Sequence, residues 1–318
     1  MMVRGAFAQL LAPGVHHNFV EWLDLLQREE EYSKVLNVEN STQAFEDEVQ
    51  FAGVGPMTEK TENDSIQYAD AIQGGTKRYI HLTYALGCRT SWELYEDDQY
   101  GIIKQVPKAL ARSARFTKEM VSANLFNRGF SSTGTTTVDG LSLFNNAHPL
   151  LGGSTATNVG PGLGNVISTP GTYPNRPAVD ADLSFTAVQL MINQFERMID
   201  SQGLPIVTKP SMLFIPPELK FIARELFGSP GKPYTTDNEI NALVGDELSY
   251  MVGHYFTSQS AWFAVANKSE HQLKFFNRHA IDADYDDDFD TRALKQVSFM
   301  RFSVGATHWI GTWGSNGP

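Results

Sequence analysis

Between residues 91 and 128 the apolar positions recur every three or four residues, the spacing of one face of an α-helix. One stripe reads Ile103, Val106, Leu110, Ala114, Val121 and Leu125, and a second reads Ala109, Phe116, Met120 and Ala123. Acids gather at the start (Glu93, Glu96, Asp97, Asp98) and bases follow (Lys104, Lys108, Arg112, Arg115, Lys118, Arg128), which suits the helix dipole. Pro107 has no N–H to donate, so the helix kinks or begins anew there. From that point to a stop at Gly129 the rod is roughly 30 Å long at about 1.5 Å per residue. Two stripes require cover on more than one side. Phe116 and Met120 are therefore expected in the core, where an Asp at either position abolishes folding.

The chain before this helix has little core of its own. Residues 1–44 read as an arm with one amphipathic helix, Asn18–Glu31, carrying Phe19, Trp22, Leu25 and Leu26 on one face. So small a segment cannot cover that face alone. Residues 45–87 alternate as two strands, with Phe45, Val49 and Phe51 on the first and Tyr79, Leu82 and Tyr84 on the second. Gly53, Gly55 and Pro56 break the first strand, and Met57 to Tyr68 form a polar tip. A hairpin this poor in core needs a partner surface.

The chain after the helix first loses its periodicity. The segment DGLSLFNNAHPL (139–150) leads into residues 152–180, rich in Gly, Pro, Asn and Thr, an expected extended surface loop. Order returns with a helix over Asp182–Ser201 ended by Gly203, and a buried strand Met212–Pro217. Pro217 then opens another helix. Strands follow within Phe256–Ala266 and Leu273–Arg278, and a long strand or strand pair over 294–315.

Composition narrows the function classes. Of 318 residues, 42% are hydrophobic, enough for a substantial core. The balance of 25 basic and 36 acidic residues gives a net charge of −11, which disfavours broad binding to nucleic acid or anionic membranes. Cys88 is the single cysteine, so no internal disulfide framework exists; in its apolar strand pattern it reads as filler, not nucleophile. No apolar run reaches the ~20 residues of a membrane span. The first residues, MMVRGAFAQLLAPG, are too short and too weakly patterned for a signal peptide.

Motifs for catalysis are missing. GPGLG at 160–164 is followed by Asn165 and completes no dinucleotide fingerprint, and SPGKPY at 229–234 lacks the Ser or Thr of a phosphate loop. The eight histidines are scattered. The run IDADYDDDFD (281–290) makes Asp282, Asp284, Asp286 and Asp288 the metal candidates. Asp287 and Ala293 stand where a calcium loop needs Gly and Glu, so the run reads as a solvated or intersubunit acidic loop. A metal-dependent hydrolase built on these acids lacks carboxylate or histidine partners at ligand spacing.

The order of parts resembles the major capsid proteins of tailed bacteriophages, in the fold first described for Hong Kong phage 97. That order is an arm, a core-poor hairpin, a spine helix, a loop-rich sheet, an α/β region and a returning strand. DGLSLFNNAHPL and WFAVAN look like the Mu-like head subunit branch. The resemblance covers essentially the whole chain and implies an α+β fold. In it, residues 1–44 are the arm and 45–87 an extended loop lying over a neighbouring subunit. Residues 88–202 with 286–318 are the peripheral domain, and 203–285 the axial domain.

The resemblance also implies a structural role, without catalysis or cofactor. The chain would pair with itself in hexamers and pentamers of an icosahedral shell in the virion, assembled in the host bacterial cytoplasm. It would enclose double-stranded DNA without reading its sequence and would touch no membrane. Its partners would be a scaffolding protein, a portal and a decoration protein. Phe19, Trp22, Phe51, Met57, Lys60, Lys77 and Tyr79 are the expected intersubunit contacts. Some members link a Lys of the extended loop to an Asn of a neighbour. Lys60 and Lys77 lie in the matching segment, but no acceptor or promoting acid matches, so that activity is not carried over. No charged, helical scaffolding segment precedes the arm. Scaffolding is then a separate protein, or the sequence is what remains after its removal. An encapsulin-like compartment shares the fold and would hold enzymes in place of DNA.

Overall fold

The computed structural model describes residues 19, 21–23, 30–52, 57, 59–66, 68, 70, 72–97, 105–151, 172–200, 204–232, 239–244, 248–291 and 293–317. Leu25, Leu26, Ile103, the GPGLG motif and most of the expected loop from residue 152 lie outside them. The chain forms two compact units. The first takes residues 1–46, 79–122 and 275–304; the second takes 47–78, 123–274 and 305–318. The extended segment 45–87 is thus shared between the two.

In the first unit, helix α1 (Tyr32–Val35) leads into strand β1 (Asn37–Asn40). The sheet has the order β1-β10-β11-β4, with β4 at Leu82–Thr90, β10 at Leu273–Asp287 and β11 at Leu294–Ala306. Strands β11 and β4 run antiparallel, with Met300 opposite Tyr84 and Gln296 opposite Cys88. Helix α2 (Trp92–Glu96) follows β4, and the spine helix α3 spans Val106–Asn127. Pro107 lies in the first turn of α3, so the proline starts this helix and does not kink it. At 22 residues α3 is about 33 Å long. The backbone N–H of Gly129 closes its end on Phe126 O at 2.9 Å.

Only one side of α3 is covered in this unit. Pro107, Leu110, Ala111, Ala114, Lys118 and Ser122 are buried, a row at intervals of three and four. Leu110 and Ala111 pack with Phe19, Leu23, Cys88, Ile281 and Ala283. The second stripe does not behave as expected. Phe116 is 49% and Met120 43% exposed. Periodicity correctly grouped them on one face, but that face is only half covered.

Through Asp287 the acidic run is also not a loop, and only 288–290 turn away from the strand. It continues β10, with Ile281, Ala283 and Tyr285 half-buried and Asp282, Asp284 and Asp286 exposed between them. Alternation at period 2 was the strand signal.

The second unit contains the paired strands β2 (Phe45–Ala52) and β3 (Ile72–Ile80), apart from their outermost residues. After β3 the chain turns at His81, whose ring nitrogens sit 3.0 Å from Ser41 Oγ and 3.0 Å from Ser303 Oγ in the first unit. A single extended run, 72–90, therefore supplies strands to two sheets.

The main sheet of this unit has the order β12-β9-β7-β8, where β7 is Pro210–Ile215, β8 Ser249–Val252, β9 Trp262–Ala266 and β12 Thr312–Ser315. Strand β9 is buried at every position, as its unbroken apolar sequence WFAVA demands. Trp262, Ala264 and Ala266 meet Val188, Met191 and Phe195 of helix α4 (Phe185–Glu196) and Ala223 and Leu226 of α5 (Lys220–Gly228). Phe263 packs instead against Phe126, Phe130, Phe144 and Phe256. The end of the expected surface loop belongs inside. Thr172–Tyr173 form β6 against β5 (His148–Pro149), and Asn175 is fully buried.

These burial patterns set a contrast measurable by urea denaturation of unassembled subunits. Phe116→Asp leaves the subunit folded at a cost of about 0.5 kcal/mol, as for an exposed position. Leu110→Asp places a charge under the helix, costs several kcal/mol and abolishes the cooperative transition.

Candidate assembly surfaces

The chemistry-bearing residues singled out in the sequence lie apart from one another among the described residues. Among the described residues no group of three His, Cys, Asp or Glu side chains is placed to hold a metal ion. Asp282, Asp284 and Asp286 stand exposed at alternate positions of a strand, about 6.6 Å between neighbours, and belong to no such group. Asp288 instead binds Lys295 at 2.9 Å with Arg89 at 3.6 Å. The hydrogen bond from Lys295 holds its carboxyl down at about 2. The Asp139–His148 pair, 2.6 Å apart, is sealed: His148 is fully buried and out of reach of any reactant.

The seven expected contact residues divide into two sets. Phe19 is buried against its own α3, and Tyr79 is buried beside Phe276, ring centroids 5.0 Å apart. Trp22 is half-buried with Lys108 Nζ 3.8 Å from its ring centroid. Lys77 Nζ donates to Thr136 O at 2.8 Å and to Thr136 Oγ1 at 3.1 Å. Burial pushes its pKa down. These four find their cover within the chain. The arm thus buries part of its own apolar face, because α3 and β10 supply what the short helix lacks.

Phe51, Met57 and Lys60 remain exposed, Phe51 at 72% and Met57 at 96%. Tyr68, 94% exposed, belongs with them and was not singled out in the sequence. The hairpin thus carries large apolar side chains into solvent, each costing on the order of 25 cal/mol per Å² left wet.

A second surface was missed by sequence reasoning. In the first unit a groove of about 370 Å³ opens between α3 and β4, lined by Tyr84, Leu86, Leu110, Ala114, Thr117 and Ser298. Strand β4 is the outer strand of its sheet on this side. Leu82 and Leu86 on it are exposed, and Phe116 and Met120 stand on the neighbouring row of α3. The buried hydroxyl of Ser298 has no hydrogen-bond partner among the described residues. The sequence did carry a trace of this groove, in a stripe too wide for one sheet to cover.

A family model for phage capsid proteins matches residues 76–313, 238 of the 318 residues. The chain belongs to the phage capsid protein family. Comparison with curated protein sequences finds no match. The capsid protein is similar in fold to a solved chain of Microbacterium phage Oxtober96, with TM-score 0.53, 10% identity and 91% of each chain covered. It is similar to the procapsid of bacteriophage JBD30, with TM-score 0.52 and 14% identity over 100% of this chain and 77% of that one. It also resembles the capsid of a native GTA particle, with TM-score 0.53, 10% identity, and 88% and 87% covered. The fold is that of Hong Kong phage 97, and the protein is a structural shell subunit.

In this capsid protein the arm is fastened to the spine by a buried carboxylate. Glu119 of α3 accepts the backbone N–H of Glu31 at 2.7 Å and that of Tyr32 at 3.2 Å. It thus caps the start of α1, which has no side-chain cap of its own. Next to it, buried Lys118 places Nζ 5.7 Å from the ring centroid of Phe275.

Burial raises Glu119 from 4.5 to about 6, against the hydrogen bonds from Glu31 and Tyr32 that favour its charge. The folded state therefore holds this proton more tightly than the unfolded chain. That contribution to stability is complete below 4.5 and is lost as pH rises through 6. At about 1.4 kcal/mol per tenfold change in proton affinity, the loss is about 2 kcal/mol. Urea titrations of unassembled subunits at pH 4.5 and pH 7 will show it, and Glu119→Gln will remove that part of the difference.

Proposed function

We propose that this protein is the major head subunit, which assembles copies of itself as hexamers and pentamers into an icosahedral shell around double-stranded DNA. The carrying observation is the hairpin: its apolar residues Phe51, Met57 and Tyr68 stand in water in the single chain. A second copy offers cover in the groove between α3 and β4, which sets Leu86, Leu110, Ala114 and Met300 among hydroxyl side chains and lies beside an outer strand. We assign the hairpin of one copy to that groove of the next, so that each copy both gives and receives. Such heterologous contacts close into rings and shells.

The acidic balance of the chain fits a container for nucleic acid, since affinity for phosphate grows with the number of Lys and Arg contacts. The role is structural, with no catalytic step. A scaffolding protein, a portal and a decoration protein are the expected partners, and the host bacterial cytoplasm the expected place of assembly.

Deleting residues 57–68 tests this reading. The truncated subunit keeps its circular dichroism spectrum and its cooperative melt, and negative-stain microscopy shows no shells. Leu86→Asp, at the receiving surface, gives the same outcome. Normal shells from either variant would remove the hairpin from the contact.

A further inference from the structure

The root of the hairpin rests on a buried charged cluster that shell building alone does not require. Gly75 of β3 lies so close to the 134–142 loop that a Cβ there would sit 2.7 Å from Val138 Cγ1. Lys77 donates to Thr136 of the same loop, and Val138 N donates to Thr307 O at 3.0 Å. On β2, the Gln50 amide meets His308 Nε2 at 2.5 Å. One residue beyond Val138, the loop turns Asp139 inward. Its Oδ1 accepts from Thr137 Oγ1 and from Leu141 N, and its Oδ2 faces His148 Nδ1 at 2.6 Å. Burial opposes the charged carboxylate, but the bonds from His148 and Thr137 prevail and hold Asp139 below the usual carboxylate range.

The other nitrogen of His148, Nε2, faces Asn175 Oδ1 at 3.2 Å. The orientation of that amide is fixed by three bonds. Its Nδ2 donates to Leu143 O at 2.7 Å and to Thr312 Oγ1 at 3.3 Å, and its Oδ1 accepts Asn145 N at 2.8 Å. Both ring nitrogens of His148 therefore face acceptors. A neutral imidazole has one N–H and would set a lone pair against a lone pair on one side. The ring also stacks on Trp309, centroids 5.0 Å apart and planes 16° from parallel, an arrangement that favours a cation.

His308 differs. Its Nδ1 accepts Ile310 N at 3.0 Å, so it is neutral, and burial keeps it so by lowering its pKa to about 4. Among the described residues, the charged or titratable groups around this cluster are thus Asp139, His148 and His308, with Lys77 donating to the same loop and Tyr173 stacked on the same Trp309.

We propose that His148 is held as an imidazolium, and that its ion pair with Asp139 locks the loop on which the hairpin root is seated. Removing either charge leaves the other buried and unpaired, and the loop gives way. The seat then loosens without any change at the hairpin tip.

The test uses assembled shells labelled with ¹⁵N-histidine. Solid-state NMR at neutral pH is expected to show one histidine with both ring nitrogens protonated, absent in His148→Asn. Absence of a doubly protonated ring from the unmodified shells would overturn the assignment, whether or not the variant folds. For the lock, Asp139→Asn keeps the side-chain shape and removes the charge. Amide exchange over residues 72–78 is expected to speed up about tenfold. Unchanged exchange there would overturn the lock while leaving the proposed shell function intact.

Discussion

A carboxylate taken out of water must be met by donors, and in the first unit this requirement decides where the arm goes. Glu119 projects from the spine helix into a buried site where it accepts the backbone N–H groups opening α1. Fixing α1 fixes Tyr32, which stacks on Phe275 at 4.6 Å; Phe275 stacks on Phe302 at 5.1 Å, and Phe302 on Tyr84 at 4.9 Å. A row of rings thus runs from the arm across β10 and β11 to β4. The sheet would otherwise be a short β1 against strands three times as long, and the helix a rod resting on a single apolar row.

Much of this was legible because it is periodic. The spine helix and helix α4 announce themselves by spacing, and the fully buried β9 by its unbroken apolar run. Periodicity says which residues share a face but is silent on whether that face is covered. Phe116 and Met120 look the same in the sequence whether they lie in a core or in a groove awaiting a neighbour. The acidic strand was hidden differently: its carboxylates drew attention to metal chemistry, while the interleaved Ile281, Ala283 and Tyr285 carried the structure.

Buried polar residues were the least legible. Glu119, Lys118, Asn175 and His148 look like surface residues until their partners elsewhere in the chain are known. Asn175 in particular sat in a stretch rich in Gly, Pro and Thr that composition assigns to solvent. The single-chain character of the assembly surfaces was partly visible, since a hairpin with so little core implies cover from elsewhere. The groove between α3 and β4 left only the trace of a stripe too wide for one sheet, because it is made by side chains from three separated segments.

Strand β10 has fifteen residues and β1 only four, so among the described residues much of one β10 edge carries no partner strand. An open edge is a template on which further chains can stack without limit. Asp282, Asp284 and Asp286 stand along that stretch, and two strands bearing such rows repel when brought side by side. The carboxylates interleaved with Ile281, Ala283 and Tyr285 therefore have a colloidal task. They let subunits accumulate at the high concentrations a shell requires while making amorphous sheet stacking the wrong product, so that neutralising them would favour precipitate over particle.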